Sequence, residues 1–168
     1  MMNKEQLIDQ LVNAYAEAYQ NLGYSSLMGK IVALLIATPG PLSLDEISDR
    51  LQMSKGPVSQ IARKLKDHQL IEKVWVKGER KDYYQAVPDI FGQAFANYAA
   101  SMRRNKQLGE KFQEFSENLP EQDEQTEHLA SRMAEMKHFY ELMAHHNKAF
   151  LQHWKETVKP ELIENGSL

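Results

Sequence analysis

The chain has 168 residues, 42% of them hydrophobic, a net charge of −3 and no cysteine, so it is long enough to bury a core and excludes disulfide frameworks, thiolate nucleophiles and cysteine-ligated zinc. No apolar run approaches the roughly 18 residues of a membrane span, and the longest, from Ile31 to Ala37, suits a core helix. The opening residues, MMNKEQLIDQ, carry no apolar stretch of the secretory kind, which makes the cytoplasm the expected location.

From Asn3 to about Asn21, the residues Leu7, Leu11, Tyr15, Ala18, Tyr19 and Leu22 keep a helical period with charge between them, which predicts one amphipathic helix ended by Gly23. From Leu27 to Thr38 the chain is apolar on nearly every side, through Met28, Ile31, Val32, Leu34, Leu35 and Ile36, and this is the expected buried centre of a helical domain. Pro39-Gly40-Pro41 stops that helix. Ser43-Leu44-Asp45-Glu46 then reads as a capping box opening a short third helix, with Leu44, Ile47 and Leu51 facing inward.

Ser54 is placed to cap a fourth helix, in which Val58, Ile61 and Leu65 mark one apolar face and Ser59, Gln60 and Arg63, with Lys64 beside them, the other. Pro57 is tolerated because its missing N–H falls in the first turn, where donors have no intrahelical partner. The period then changes: Val74 and Val76 alternate with Lys73, Trp75 and Lys77, and after Gly78-Glu79-Arg80-Lys81 the run Asp82 to Val87 is aromatic and β-prone. That is a hairpin with a charged tip, spanning residues 74–87. From Ser54 to Val87 eight basic residues stand against four acidic ones, +4 on a chain of net −3, so the remainder carries −7. Positive charge concentrated on an otherwise acidic protein is the footprint of a polyanion partner.

After Pro88 the pattern is helical to the end. Phe91, Phe95, Tyr98 and Met102 give one stripe, and Leu108, Phe112, Phe115 and Leu119 a second. Beyond Pro120, the residues Leu129, Met133, Met136, Tyr140, Met143, Asn147, Phe150 and Trp154 follow one another at alternating spacings of four and three, an a/d seam with one polar member. The seam is expected to meet a second copy of the chain, with an intramolecular core as the plainer alternative. The expected organisation is an N-terminal dimerisation helix at 1–22, a DNA-binding domain at 23–88, a helical dimerisation region at 89–160 and a tail at 161–168.

Two helices joined by a tight turn, the second with a basic exposed face and a hairpin directly after it, make a winged helix-turn-helix. The expected fold is mainly α with a small β-hairpin wing (α+β), flanked by N- and C-terminal dimerisation helices. The run PLSLDEISDRLQMSKGPVSQIARKLKDHQLIEKVWVKGERKDYYQAV resembles the winged helix-turn-helix of the MarR superfamily, and within it is similar to the GbsR-type regulators. The SKGPVS entry to the recognition helix and the VKGERKDYY wing carry most of that likeness. Pro57 departs from it, standing where a small or polar residue is expected in relatives. The resemblance implies a dimeric bacterial or archaeal transcription factor, often a repressor, whose DNA binding responds in some members to a small ligand. In GbsR-type proteins that ligand can be choline.

On this reading residues 54–67 enter the major groove of double-stranded DNA, with Gln60 suited to adenine and Arg63 to guanine. Lys55, Ser59, Lys64, Lys77, Arg80 and Lys81 are the expected phosphate contacts, Arg80 also reaching toward the minor groove, and Ser54 completes the set. The expected dimer residues are Leu7, Leu11, Leu129, Met133, Met136, Tyr140, Met143, Phe150 and Trp154. A quaternary ammonium effector would call for an aromatic box, for which Tyr15, Tyr19, Tyr24, Tyr98, Tyr140 and Trp154 are the available side chains. No cofactor is expected. No metal is expected either, because His138, His145, His146 and His153 lack the offsets of three or four that bring two ligands to one ion. A winged helix that meets an acidic protein instead of DNA is the alternative function. Enzyme chemistry is disfavoured by the lack of a glycine-rich phosphate loop, a nucleophile elbow or a carboxylate pair with a histidine.

Overall fold

The structure, a computed structural model, describes residues 2–166 and divides into two compact units, the chain passing from one to the other between Ile90 and Phe91. The first unit opens with α1 (Lys4–Asn21), held at its start by a capping box in which Asn3 accepts from the Gln6 N–H and Gln6 accepts from the Asn3 N–H. Its most buried residues are Val12 and Ala16, whereas Leu11, Tyr15 and Tyr19 are half-buried and Leu7 and Leu22 are 55% and 72% exposed. The predicted stripe is thus only partly consumed within the protomer.

Helix α2 (Ser26–Ala37) is the buried centre, with Ile31, Val32, Ala33, Leu34 and Leu35 all almost fully covered. Gly29 lets α1 approach it closely: a Cβ there would stand 2.3 Å from the Tyr15 carbonyl oxygen. Ile47 of α3 (Leu44–Leu51), Val58, Ala62 and Leu65 of α4 (Lys55–Asp67), and Ile71 complete this core. Leu44 and Leu51 are half-buried, so Ile47 carries most of the inward contact of α3.

The wing strands are β2 (Ile71–Val74) and β3 (Tyr83–Ala86), antiparallel, with Ile71 opposite Ala86 and Val74 opposite Tyr83. The first strand therefore ends where the alternation of Val74 and Val76 had placed its beginning. Residues 75–82 form the connecting loop, since pairing with β3 stops at Val74. A third strand, β1 (Leu42–Ser43), joins the free edge of β3 through Leu42 opposite Tyr84 and Ser43 opposite Tyr83. Ser43 thus serves twice, as the last residue of β1 and as the cap of α3. Its hydroxyl accepts from the Glu46 N–H at 3.2 Å while Glu46 accepts from the Ser43 N–H at 2.8 Å. That backbone donor is the main reason the Glu46 carboxyl lies below the ordinary glutamate range.

In the second unit the two stripes after Pro88, all but Leu119, belong to one helix, α5 (Ile90–Glu117), and the seam, all but Trp154, to α6 (Glu124–His153), capped by Asp123 and Thr126. They run antiparallel: the Phe95 and Phe150 rings meet edge to face at 5.0 Å, Lys106 reaches Glu141 at 3.0 Å, and Gly109 admits the backbone at Met133 and Lys137. Phe150 and Met133, read from sequence as seam residues, therefore also meet α5 within the protomer. Asn147, the polar member of the seam, keeps its amide nitrogen buried without a hydrogen-bond partner. A π-helical turn (Trp154–Val158) follows and leads into α7 (Lys159–Glu164). Pro160, which has no N–H to give the carbonyl four residues back, accounts for the widened turn. The backbone thus remains helical to Glu164, inside the stretch expected as a tail, whose last two residues, 167 and 168, lie outside the described ones.

Candidate nucleic-acid interface

The turn between α3 and α4 is set by hydrogen bonding. Met53 donates to the Ser48 carbonyl at 2.9 Å and Gln52 to Asp49 at 3.2 Å, with Gln52 in the left-handed region at φ 52°. The end of α4 repeats this pattern, Leu70 donating to Leu65 and Gln69 to Lys66, with Gln69 at φ 57°. Both helices of the motif therefore end on a left-handed glutamine, where a glycine is the usual choice.

Helix α4 offers solvent the face that its period predicts. Val58 and Leu65 are fully buried, and Gln60, Arg63 and Lys64 are exposed, with Ser59 half-buried at the edge. Ala62 shares the inner face, a residue too small to register in the apolar pattern. Ser54 occupies the N-cap position with extended backbone, but its side chain makes no capping hydrogen bond.

In the wing loop, Glu79 donates to the Val76 carbonyl at 3.1 Å with Gly78 at φ 87°, the pattern of a type II turn, which needs a positive φ at its third residue. Lys77, Arg80 and Lys81 are exposed around that turn, and the Trp75 ring is 78% exposed beside them. Sequence reasoning took Trp75 only as a strand residue. At the base of the loop Lys73 pairs with Asp82 at 2.6 Å, and Gln85 donates to Glu72 across the strands at 2.8 Å.

The basic residues do not all stand alone. Asp45, in the first turn of α3, pairs through one oxygen with Lys55 at the start of α4 and through the other with Lys81 at 3.0 Å. These donors, Lys55 first and Lys81 second, hold the Asp45 carboxyl below the ordinary aspartate range, and Asp45 in turn raises the Lys81 ammonium. Among the described residues Arg63, Lys64, Lys66, Lys77 and Arg80 have no ion-pair partner. Asp45 was the site residue that sequence reading passed over, since within its own segment it is an ordinary first-turn acid.

The expected dimer residues are distributed as follows. Leu7, Leu129 and Phe150 are exposed, while Leu11, Met133, Met136, Tyr140, Met143 and Trp154 are half-buried. Of the six aromatics considered for a cation box, the first unit gathers three, with the Tyr15 and Tyr19 rings 6.4 Å apart and Tyr19 and Tyr24 6.0 Å apart. Tyr98, Tyr140 and Trp154 belong to the second unit.

A short helix, a tight turn, a second helix with a polar basic face and a three-stranded sheet carrying a basic loop together define a winged helix-turn-helix DNA-binding domain. Residues 27–72 match the family model for winged helix-turn-helix DNA-binding domains. The chain is 30% identical over 148 residues to the HTH-type transcriptional repressor OpcR of Bacillus subtilis, an alignment covering 81% of this chain and 80% of OpcR. It is also 30% identical over 94 residues to the HTH-type transcriptional repressor GbsR of the same organism, over 56% of this chain and 51% of GbsR. A crystal structure of a transcriptional regulator shares the fold with a TM-score of 0.76 at 21% identity, over 89% of this chain and 98% of that one. The chain belongs to the family of HTH-type transcriptional regulators that includes OpcR and GbsR. It is a DNA-binding transcriptional regulator. Among the described residues no helix is long and apolar enough to cross a membrane.

Proposed function

We propose that the protein is a homodimeric repressor, not an enzyme, which acts on double-stranded DNA in the cytoplasm with α4 in the major groove and the wing on the adjoining backbone or minor groove. One observation carries this reading: the exposed face of α4 and the tip of the wing hold Arg63, Lys64, Lys66, Lys77 and Arg80 without acidic partners, on a protein that is acidic as a whole. Repression is the activity of both named relatives, OpcR and GbsR. Gln60 and Arg63 are assigned to base edges, and Ser54, Lys55, Ser59, Lys64, Lys77, Arg80 and Lys81 to phosphates.

Arg63→Ala tests the base assignment on an operator selected from genomic fragments with the purified protein. Losing a bidentate guanine contact should weaken operator binding roughly 10–100-fold, while binding to unrelated duplex falls far less. Equal losses on both would remove Arg63 from the base-reading set. The clustered Tyr15, Tyr19 and Tyr24 are the proposed receiver for a quaternary ammonium effector, and choline added to the same titration should weaken operator binding. Unchanged affinity would sink the effector.

The dimer is assigned to Leu7 and Leu11 of α1 and to Leu129, Met133, Met136, Tyr140, Met143, Phe150 and Trp154 of the last helical segment. In support, α6 has no buried residue along its 30 positions, and Leu7, Leu129 and Phe150 expose about half of their surface. An isolated amphipathic surface of that extent is a partner surface by default. The full chain should sediment as a dimer and a chain ending near Pro120 as a monomer. A dimeric truncated chain would place the interface elsewhere.

A further inference from the structure

The exposed cations of the interface differ in one respect that the DNA-binding reading leaves unused. Lys55 and Lys81 come from different elements, the start of α4 and the end of the wing loop, yet they converge on the two oxygens of one carboxylate, Asp45. Two ammonium groups brought to one carboxylate are spaced for any compact anion that offers two oxygens, and a phosphodiester offers two non-bridging ones. All three side chains remain accessible, with 63%, 59% and 35% of the Lys55, Lys81 and Asp45 side chains exposed.

We propose that Lys55 and Lys81 form a clamp for a single DNA phosphate, and that Asp45 occupies this clamp in the free protein as an internal stand-in for that phosphate. Docking on DNA then exchanges one anion for the other. The exchange is easy because solvent-exposed ion pairs contribute little stability, while capture of a phosphate releases condensed counterions. Asp45 therefore acts as a brake on every DNA sequence alike: it competes for the two lysines and, once displaced, leaves a negative charge beside the phosphate. Base selection by the exposed face of α4 is untouched.

This rests on the DNA-binding reading above, and it opposes the plain structural role, in which Asp45 ties the wing to α4 and its loss loosens the interface. The two roles predict opposite signs. In the full-length protein, Asp45→Asn should bind a mixed-sequence duplex and the selected operator more tightly by a similar factor, roughly fivefold per protomer and so about 25-fold for the dimer, as expected for removing one unit charge per protomer near contact distance in water. The triple variant Asp45→Asn, Lys55→Gln, Lys81→Gln should lose that gain. In the wild-type chain, adding duplex should move the Asp45 carboxyl carbon resonance while that of Asp123, which caps α6, stays in place; this readout needs no variant to fold.

Weaker binding by Asp45→Asn, or an Asp45 resonance indifferent to DNA, overturns the clamp and leaves the tether. A gain that survives in the triple variant overturns it too, since the charge would then act at long range and not through the two lysines. Absence of salt-dependent binding by the wild type is a different failure, that of the DNA-binding reading itself.

Discussion

Raising the salt concentration from about 50 to 200 mM is expected to weaken the complex with DNA by about 10³–10⁵-fold, the response of a protein that neutralises roughly 6–10 phosphates. Lys64, Lys77, Arg80 and the Lys55–Lys81 pair amount to about four phosphate contacts per protomer and about eight for two protomers, inside that range. The size of the effect depends on two-fold symmetry as much as on the residues, because one protomer alone falls short of the lower bound. A fluorescence anisotropy titration at several salt concentrations measures it. A flat response would remove DNA as the partner and leave an acidic protein in its place.

Leu65→Ala is expected to destabilise the first unit by about 2–5 kcal/mol, the usual range for truncating a fully buried leucine, because both the transfer energy of the side chain and the cavity left behind count against the fold. Leu65 is 0% exposed, on the inner face of α4, and its carbonyl also accepts the Leu70 N–H that ends the helix. For a unit of this size the melting temperature should fall by about 10–40 °C, read by calorimetry or circular dichroism. Arg63→Ala provides the contrast: an exposed substitution away from any cap or core should stay within about 0.5 kcal/mol of wild type. The two variants would both lose operator binding, one by unfolding the platform and the other by removing a contact on an intact one. A Leu65→Ala protein that melts like wild type would contradict the packing of α4 described above.

The same helix shows where sequence is a good guide and where it is not. Its inner residues Val58 and Leu65 recur at a helical period, so burial on one side and exposure of Gln60, Arg63 and Lys64 on the other follow from the geometry of a single element. The capping box at Ser43 and Glu46 is likewise contained within four residues and was legible for that reason. The wing was less so. Alternation at Val74 and Val76 signals extended backbone but not which residues find a partner, and pairing stops at Val74, opposite Tyr83. Strand β1 has only two residues, too few to show any period, and exists because the edge of β3 is there to receive it. In the second unit the four-three spacing of α6 was plain, but spacing does not say what a helix face meets. Phe150 finds Phe95 of the same chain.

Sequence by itself thus determined the helices, their faces, the basic character of residues 54–87 and the class of protein, all properties that neighbours within one or two turns specify or that composition concentrates. Only the tertiary structure decided the third strand, the extent of the wing and the meeting of Lys55 and Lys81 on Asp45. Those depend on which distant segments come to lie side by side, and no local pattern of charge or hydrophobicity encodes a partner that the chain reaches only after folding.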